Sequence, residues 1–168
     1  MTEFEELALK KITQDYMIDC IYDQIKGLSG KYGISNAEIS NYIGWDSSGF
    51  NQKCNRSNDL RITTFIKIFV ALTDLITAKE KEMGLDQLGL SDIRITDLIT
   101  EREMMIGTLF NHISATAEGR AVFLDRKEYV DIFRSMRPFV LVGKRNKRFS
   151  DEESDVYIHY YQAAADLG

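Results

Sequence analysis

Residues 31–72 read KYGISNAEISNYIGWDSSGFNQKCNRSNDLRITTFIKIFVAL. The string reads as two short helices joined by a tight turn, with a longer helix behind them. Ser35-Asn-Ala-Glu38 is a capping box: the Ser35 hydroxyl accepts from a first-turn N–H while Glu38 reaches back. The helix it opens runs through Ile39 and Ile43 to Gly44, the residue that accepts positive φ most cheaply. Asp46 is placed to cap a second helix around Ser47–Asn55, with Phe50 and Cys54, four residues apart, facing inward. After the Asn55–Asp59 loop, Ile62, Phe65, Ile66, Phe69, Leu72 and Ile76 mark a helix running to about Lys81.

Upstream, Phe4, Leu7, Ala8, Ile12, Tyr16, Cys20, Ile21, Ile25 and Leu28 recur at helical spacing among charged residues, which predicts a long amphipathic helix. Its second half is expected to pack on the 31–72 stretch, and its first half against the later chain or a second subunit. Downstream, MGLDQLGLSD reads as a connector, and a helix is predicted over Thr96–Ala117 with a break at Ala115–Gly119. Asp125-Arg-Lys-Glu128 repeats the capping box and opens a helix through Tyr129, Ile132, Phe133 and Met136, which Met136-Arg-Pro138 bends or ends. Phe139-Val-Leu-Val142 is β-branched and apolar, consistent with a short strand, and Lys144–Arg148 reads as a basic loop. Ser150-Asp-Glu-Glu153 is a third capping box, starting a terminal helix with Val156, Tyr157, Tyr160, Tyr161 and Ala164 inward.

Composition narrows the function classes. With 168 residues, 44% hydrophobic and 11% aromatic, the chain can bury a core, and a lone Pro138 argues against a flexible linker. Its apolar runs fall far short of a membrane span, and MTEFEELALKK lacks the basic-then-apolar order of a signal peptide, so a cytoplasmic protein is expected. Cys20 and Cys54 with only His112 and His159 make no zinc spacing, and two buried reduced thiols are expected. No phosphate loop, His-Glu-x-x-His motif or nucleophile elbow is present, so neither catalytic residues nor a metal or cofactor are expected, and the chain reads as a non-enzyme. The formal charge of −5 is segregated: residues 31–68 hold five basic and three acidic residues, and 125–149 eight and three, while both ends are acidic.

The 31–72 stretch offers a specific chemistry. Two helices can cross at the angle of a helix-turn-helix only if the turn is tight and the contact face small and apolar. Ile39, Ile43, Trp45 and Phe50 supply that face, Ser40 the small residue at the crossing and Gly44 the turn. The second helix then presents Ser47, Ser48, Asn51 and Gln52, whose amides and hydroxyls match base edges in a DNA major groove. Lys53 and Arg56 flank this face for phosphates, and Asn36 stands at the start of the preceding helix, where backbone N–H groups reach phosphate.

These residues resemble the lambda-repressor-like (Cro-type, XRE) helix-turn-helix family over about residues 18–76. The matching pieces are Gly33-Ile-Ser35, Asn36-Ala-Glu-Ile39, Ile43-Gly44-Trp45, Ser47-Ser48-Gly49-Phe50, Asn55, Ile62-Thr-Thr-Phe65-Ile-Lys-Ile68 and Ala71-Leu72. The resemblance implies a polar contact at Asn36, base reading by Ser47, Ser48, Asn51 and Gln52, and phosphate contacts near Asn55 and Asn58. It also implies a homodimer on paired half-sites of double-stranded DNA. The chain departs from the family pattern at three places: Ser40 replaces the usual alanine, Lys53 stands at a usually apolar position with Cys54 beside it, and Trp45 is larger than the usual aliphatic.

The expectation is an all-α protein: residues 1–82 a lambda-repressor-like helix-turn-helix bundle with a long N-terminal helix, and 83–168 a C-terminal helical extension for dimerisation or partner contact. The expected function is sequence-specific DNA binding in transcription regulation. The alternative is a protein-interaction module of a phage or mobile element that keeps the fold without binding DNA. Lys144–Arg148 is read as a solvated loop balanced by the acids after it, with a DNA-backbone contact or an anchor for an acidic partner as the other reading. Met104-Met105 and the Tyr157, Tyr160, Tyr161 cluster are read as core or dimer interface.

Overall fold

A computed structural model gives the architecture, and the structure describes residues 2–55, 60–85 and 127–166. All the described regular structure is helical: α1 (Glu3–Lys31), α2 (Asn36–Ile43), α3 (Gly49–Lys53), α4 (Ile62–Glu82), α5 (Lys127–Ser135), α6 (Arg137–Arg145) and α7 (Asp151–Ala165). The expected helix over Thr96–Ala117, the 115–119 break, most of the connector, Met104-Met105 and the Asp125 capping box lie outside the described residues. The chain divides into two compact units, residues 18–100 and residues 1–17 with 101–168. The first boundary falls within α1.

In the unit built from the second half of α1 with α2, α3 and α4, α2 packs on both α3 and α4. Its core comprises Ile21, Ile25, Ile34, Ile39, Phe50, Cys54, Phe65, Ile68, Ala71, Leu72 and Ile76, all buried. Side chains of this size each stabilise the fold by about 1.5–3 kcal/mol when fully withdrawn from water. Of the expected stripe on α4, Phe65, Leu72 and Ile76 are buried, and Ile68 joins them, whereas Ile62 and Ile66 are 74% and 48% exposed and Val70 beside them is exposed too. Glu80 is also buried; its Oε1 accepts from the Tyr32 hydroxyl at 2.9 Å, and its Oε2 has no hydrogen-bond partner among the described residues.

The other unit joins the first half of α1 to α5, α6 and α7, with α5 and α6 both packing on α7. Ala8, Leu9, Ile12 and Tyr16 face its core, while Phe4 and Leu7, expected inside, are exposed. Leu9 takes the place assigned to Leu7 because Leu9, Ile12, Thr13 and Tyr16 form one stripe at three- and four-residue steps. Phe133 and Tyr157 pack ring to ring at 4.7 Å, and the Tyr157 hydroxyl donates to the Phe133 carbonyl at 2.7 Å. Burial pushes the Tyr157 phenol well above its ordinary value.

Phe139–Val142 is not a strand. It lies inside α6, which starts straight after the α5 terminus at Met136 and carries Pro138 in its first turn, where a fixed φ and a missing N–H favour a helix. Val140 is buried and Phe139 half-buried while Leu141 and Val142 are exposed, a helical rather than an alternating pattern. The basic run is likewise only partly a loop, since Lys144 and Arg145 close α6. Lys144 lies 3.1 Å from Asp155 and 3.4 Å from Asp151, so the balancing by following acids holds for this residue. Arg148 instead reaches Asp15 of α1 at 2.8 Å. Between them Phe149 lays its ring against the backbone of Gly143: a Cβ built there would fall 2.4 Å from the ring.

Candidate nucleic-acid interface

The α2–turn–α3 segment follows from its local chemistry. The Ser35 hydroxyl accepts from the Glu38 N–H, and the Glu38 carboxylate accepts from the Ser35 N–H, so the capping box is complete. That backbone bond, with the Ser35 hydroxyl, holds the Glu38 carboxyl below its ordinary value. Gly44 ends α2 at φ 82°, the left-handed conformation expected of it.

The second helix is shorter than expected. Only Gly49–Lys53 is helical, leaving Ser47 and Ser48 in the turn and Asn55 beyond the end. Asp46 is not its cap. Its carboxylate accepts from the Ser48 hydroxyl at 2.6 Å and the Ser48 N–H at 2.9 Å, closing a turn before the helix and lowering the Asp46 pKa. Ser48, at the cap position, makes no capping bond with its side chain. The cap comes from the neighbouring helix: the fully buried Ser40 hydroxyl accepts from the Phe50 N–H at 2.9 Å and donates to the Asn36 carbonyl at 2.9 Å. The small residue at the crossing is thus a two-way hydrogen-bonding joint.

The departures from the family pattern fit together. A Cβ on Gly49 would lie 2.6 Å from the Cβ of Trp45, so the bulky turn residue packs against bare backbone. The Lys53 ammonium sits 5.5 Å over the Trp45 ring, and Cys54, not Lys53, fills the core. Burial pushes the Cys54 thiol up to about 11; Cys20 is only half-buried, against the expectation of two buried thiols.

The candidate contact residues form two hydrogen-bonded pairs. Asn36, the first residue of α2, donates from Nδ2 to Asn51 Oδ1 at 2.6 Å. Gln52 donates from Nε2 to the Ser48 hydroxyl oxygen at 2.7 Å. Ser47, Ser48, Asn51, Gln52 and Lys53 are all exposed. Asn55 turns its amide back on α3, donating to the carbonyls of Asn51 and Gln52 at 3.0 and 3.3 Å. Arg56 and Asn58 lie outside the described residues.

One participant carried no signal in the sequence. Lys26 of α1 donates to Asn36 Oδ1 at 2.8 Å, and its ammonium lies 5.7 Å over the Phe50 ring. Periodicity places Lys26 among the polar residues of a long helix and cannot pair it with Asn36 across a break. The face thus combines amides and hydroxyls with Lys26 and Lys53, and the Asp46 carboxylate stands at its edge.

Among the described residues no group of His, Cys, Asp and Glu is arranged to hold a metal ion, and no helix is long and apolar enough to cross a membrane. Comparison of the chain with protein-family models, curated proteins and solved structures finds no match.

Proposed function

We propose that this protein is a sequence-specific DNA-binding regulator, acting in the cytoplasm, that sets the α2–turn–α3 segment of a lambda-repressor-like helix-turn-helix into a major groove. The observation that carries the reading is the exposed, polar, nearly uncharged face of Ser47, Ser48, Asn51 and Gln52 on a segment locked to α2 by the buried Ser40. Groups of this kind match base edges, and their existing bonds to one another are exposed and exchangeable for bonds to bases. Lys53 beside the face, and Arg56 three residues further along the sequence, would contact phosphates, which position the domain without reading sequence.

The reading includes a homodimer on paired half-sites. Its support is the exposed apolar stripe of Ile62, Ile66 and Val70 on α4, four residues apart, which is available to a second copy. The same stripe favours the second reading, a protein-interaction module that keeps this fold without binding DNA.

Selection from randomised duplex DNA at moderate salt tests the proposal. Enrichment of a defined site is expected, with the preference lost in an Asn51→Ala/Gln52→Ala variant. Arg56→Ala weakens every site alike and flattens the salt dependence. A wild-type chain without sequence preference, or a double variant that binds unchanged, rejects DNA reading by this face. Light scattering reads the oligomeric state independently.

A further inference from the structure

Two exposed apolar patches of opposite charge lie in the unit that joins the first half of α1 to α5, α6 and α7. The first opens α1. Phe4 and Leu7, three residues apart on one helical face, are 49% and 58% exposed, and the exposed Glu3 and Glu6 stand beside them. Glu5 is engaged locally, accepting from the Thr2 N–H at 2.7 Å. The second patch is the outer face of α6. Leu141 and Val142 are 41% and 45% exposed, and Arg137 and Arg145, one helical turn to either side of Leu141, are exposed with them. Lys147 adds a third exposed cation just past the helix, in a left-handed conformation (φ 58°) that glycine adopts more cheaply.

Neither patch is neutralised by its surroundings. Lys144 is taken up by Asp151 and Asp155, and Arg148 by Asp15. Glu3, Glu6, Arg145 and Lys147 enter no ion pair among the described residues. Arg137 lays its guanidinium 5.4 Å over the Tyr161 ring, which leaves its charge uncompensated. An apolar centre with an acidic rim fits an apolar centre with a basic rim: the apolar residues leave water together while opposite charges meet around them. Phosphates alone would engage the cations and leave Leu141 and Val142 in water.

We propose that the first two turns of α1 in one copy of this chain dock on the outer face of α6 in a second copy. Phe4 and Leu7 pack against Leu141 and Val142, and Glu3 and Glu6 meet Arg137 and Arg145. The contact joins unlike patches, so two copies related by a twofold axis make it twice. It is separate from the α4 contact of the DNA-binding reading, which joins like to like, and it does not rest on that reading. Both patches are small and rimmed by charge, so the association is weak and falls with salt.

Sedimentation equilibrium of the full chain tests it, with Ile66→Asp in every protein to remove the α4 contact. One variant adds Glu3→Lys and Glu6→Lys, the other Arg137→Glu and Arg145→Glu; all four positions are exposed, and circular dichroism checks that the helices persist. The parent is expected to self-associate at low salt. Each variant alone sets like charges against each other and is expected to associate about tenfold more weakly or worse. An equimolar mixture of the two has opposite charges at both contacts and is expected to recover the parent's association, which mere damage to the fold would not allow. Leu141→Ser, which keeps every charge, is expected to weaken the parent as well. A parent that stays monomeric at every concentration overturns the proposal, as does a mixture no tighter than either variant alone. So does a monomeric chain that binds anionic phospholipid vesicles or duplex DNA of any sequence and loses that binding on reversal of Arg137 and Arg145, since the α6 face then serves an anionic surface and not a second copy.

Discussion

Ser40→Ala is the most informative single change in this chain, because it removes one oxygen and no packing volume of consequence. Among the described residues the Ser40 hydroxyl is what the Phe50 amide donates to, at 2.9 Å, and both residues are fully buried. Phe50 lies in the first turn of α3, where an amide has no carbonyl four residues back within the helix to bind. Deleting the hydroxyl therefore forfeits a hydrogen bond and strands a buried N–H, a loss of about 1–3 kcal/mol. At a urea slope of roughly 1–2 kcal/mol per M, the midpoint falls by about 0.5–3 M. Trp45, the sole tryptophan, packs against Gly49 at this junction, so its fluorescence reports the unfolding where the change is made. The matched control is Ser48→Ala. Ser48 occupies the cap position but makes no capping bond and is exposed, so its loss is expected to stay within about 0.5 kcal/mol. If Ser48→Ala proves the costlier of the two, or Ser40→Ala leaves the midpoint unmoved, the cross-helix cap is refuted.

Three further outcomes are expected. Gly49→Ala places a methyl 2.6 Å from the Trp45 Cβ, and is expected to destabilise by about 1–3 kcal/mol with a shift in tryptophan emission on calorimetric and fluorescence melts. Cys54, its pKa pushed up to about 11 by burial, is expected to resist a thiol reagent at pH 8 that labels the half-buried Cys20; both react in denaturant. Because its folded pKa lies above the ordinary 9.0, stability attributable to Cys54 is whole below pH 9 and declines between 9 and 11. Glu38 runs the other way: its folded pKa lies below 4.5, so its contribution is present above that pH and is lost as pH falls through the lowered value. Glu38→Gln is expected to flatten the stability profile on that acid limb, measured by urea melts from pH 6 down to pH 3.

Much of the 31–72 stretch is legible in its letters because its signals are local. Ser35 and Glu38, or Ser150 and Glu153, are three residues apart, so the capping box reads directly and both boxes are formed. Phe50, on α3, and Cys54, just past its end, are four residues apart, and both are buried. Phe139–Val142 is ambiguous in the sequence because four apolar residues fit a strand and a helix equally, and the Pro138 start signal decides for the helix. The phases of α1 and α4 were harder, because Leu7 and Leu9, or Ile66 and Ile68, are chemically equivalent candidates for one inward position. Only the partner surface separates them. Contacts across many residues had no sequence signature at all: Lys26 with Asn36, Ser40 with Phe50, and Arg148 with Asp15, 133 residues apart. The contact face itself was legible as a set of residue types, but the length of α3 and the pairing within the face were not.

The contact between Gly143 and Phe149 bears on how this chain can vary. In a saturation library, tolerance at most positions follows the bulk of the side chain already there, and a glycine on a helix is ordinarily among the freest. At 143 that order is inverted. Alanine would drive a methyl into the Phe149 ring, and displacing the ring disturbs the turn that delivers Arg148 to Asp15. The residue with no side chain is expected to accept as few replacements as the fully buried Phe133 or Tyr157, and a variant that escapes is expected to carry a smaller residue at 149 as well. Positions 143 and 149 then change together or not at all.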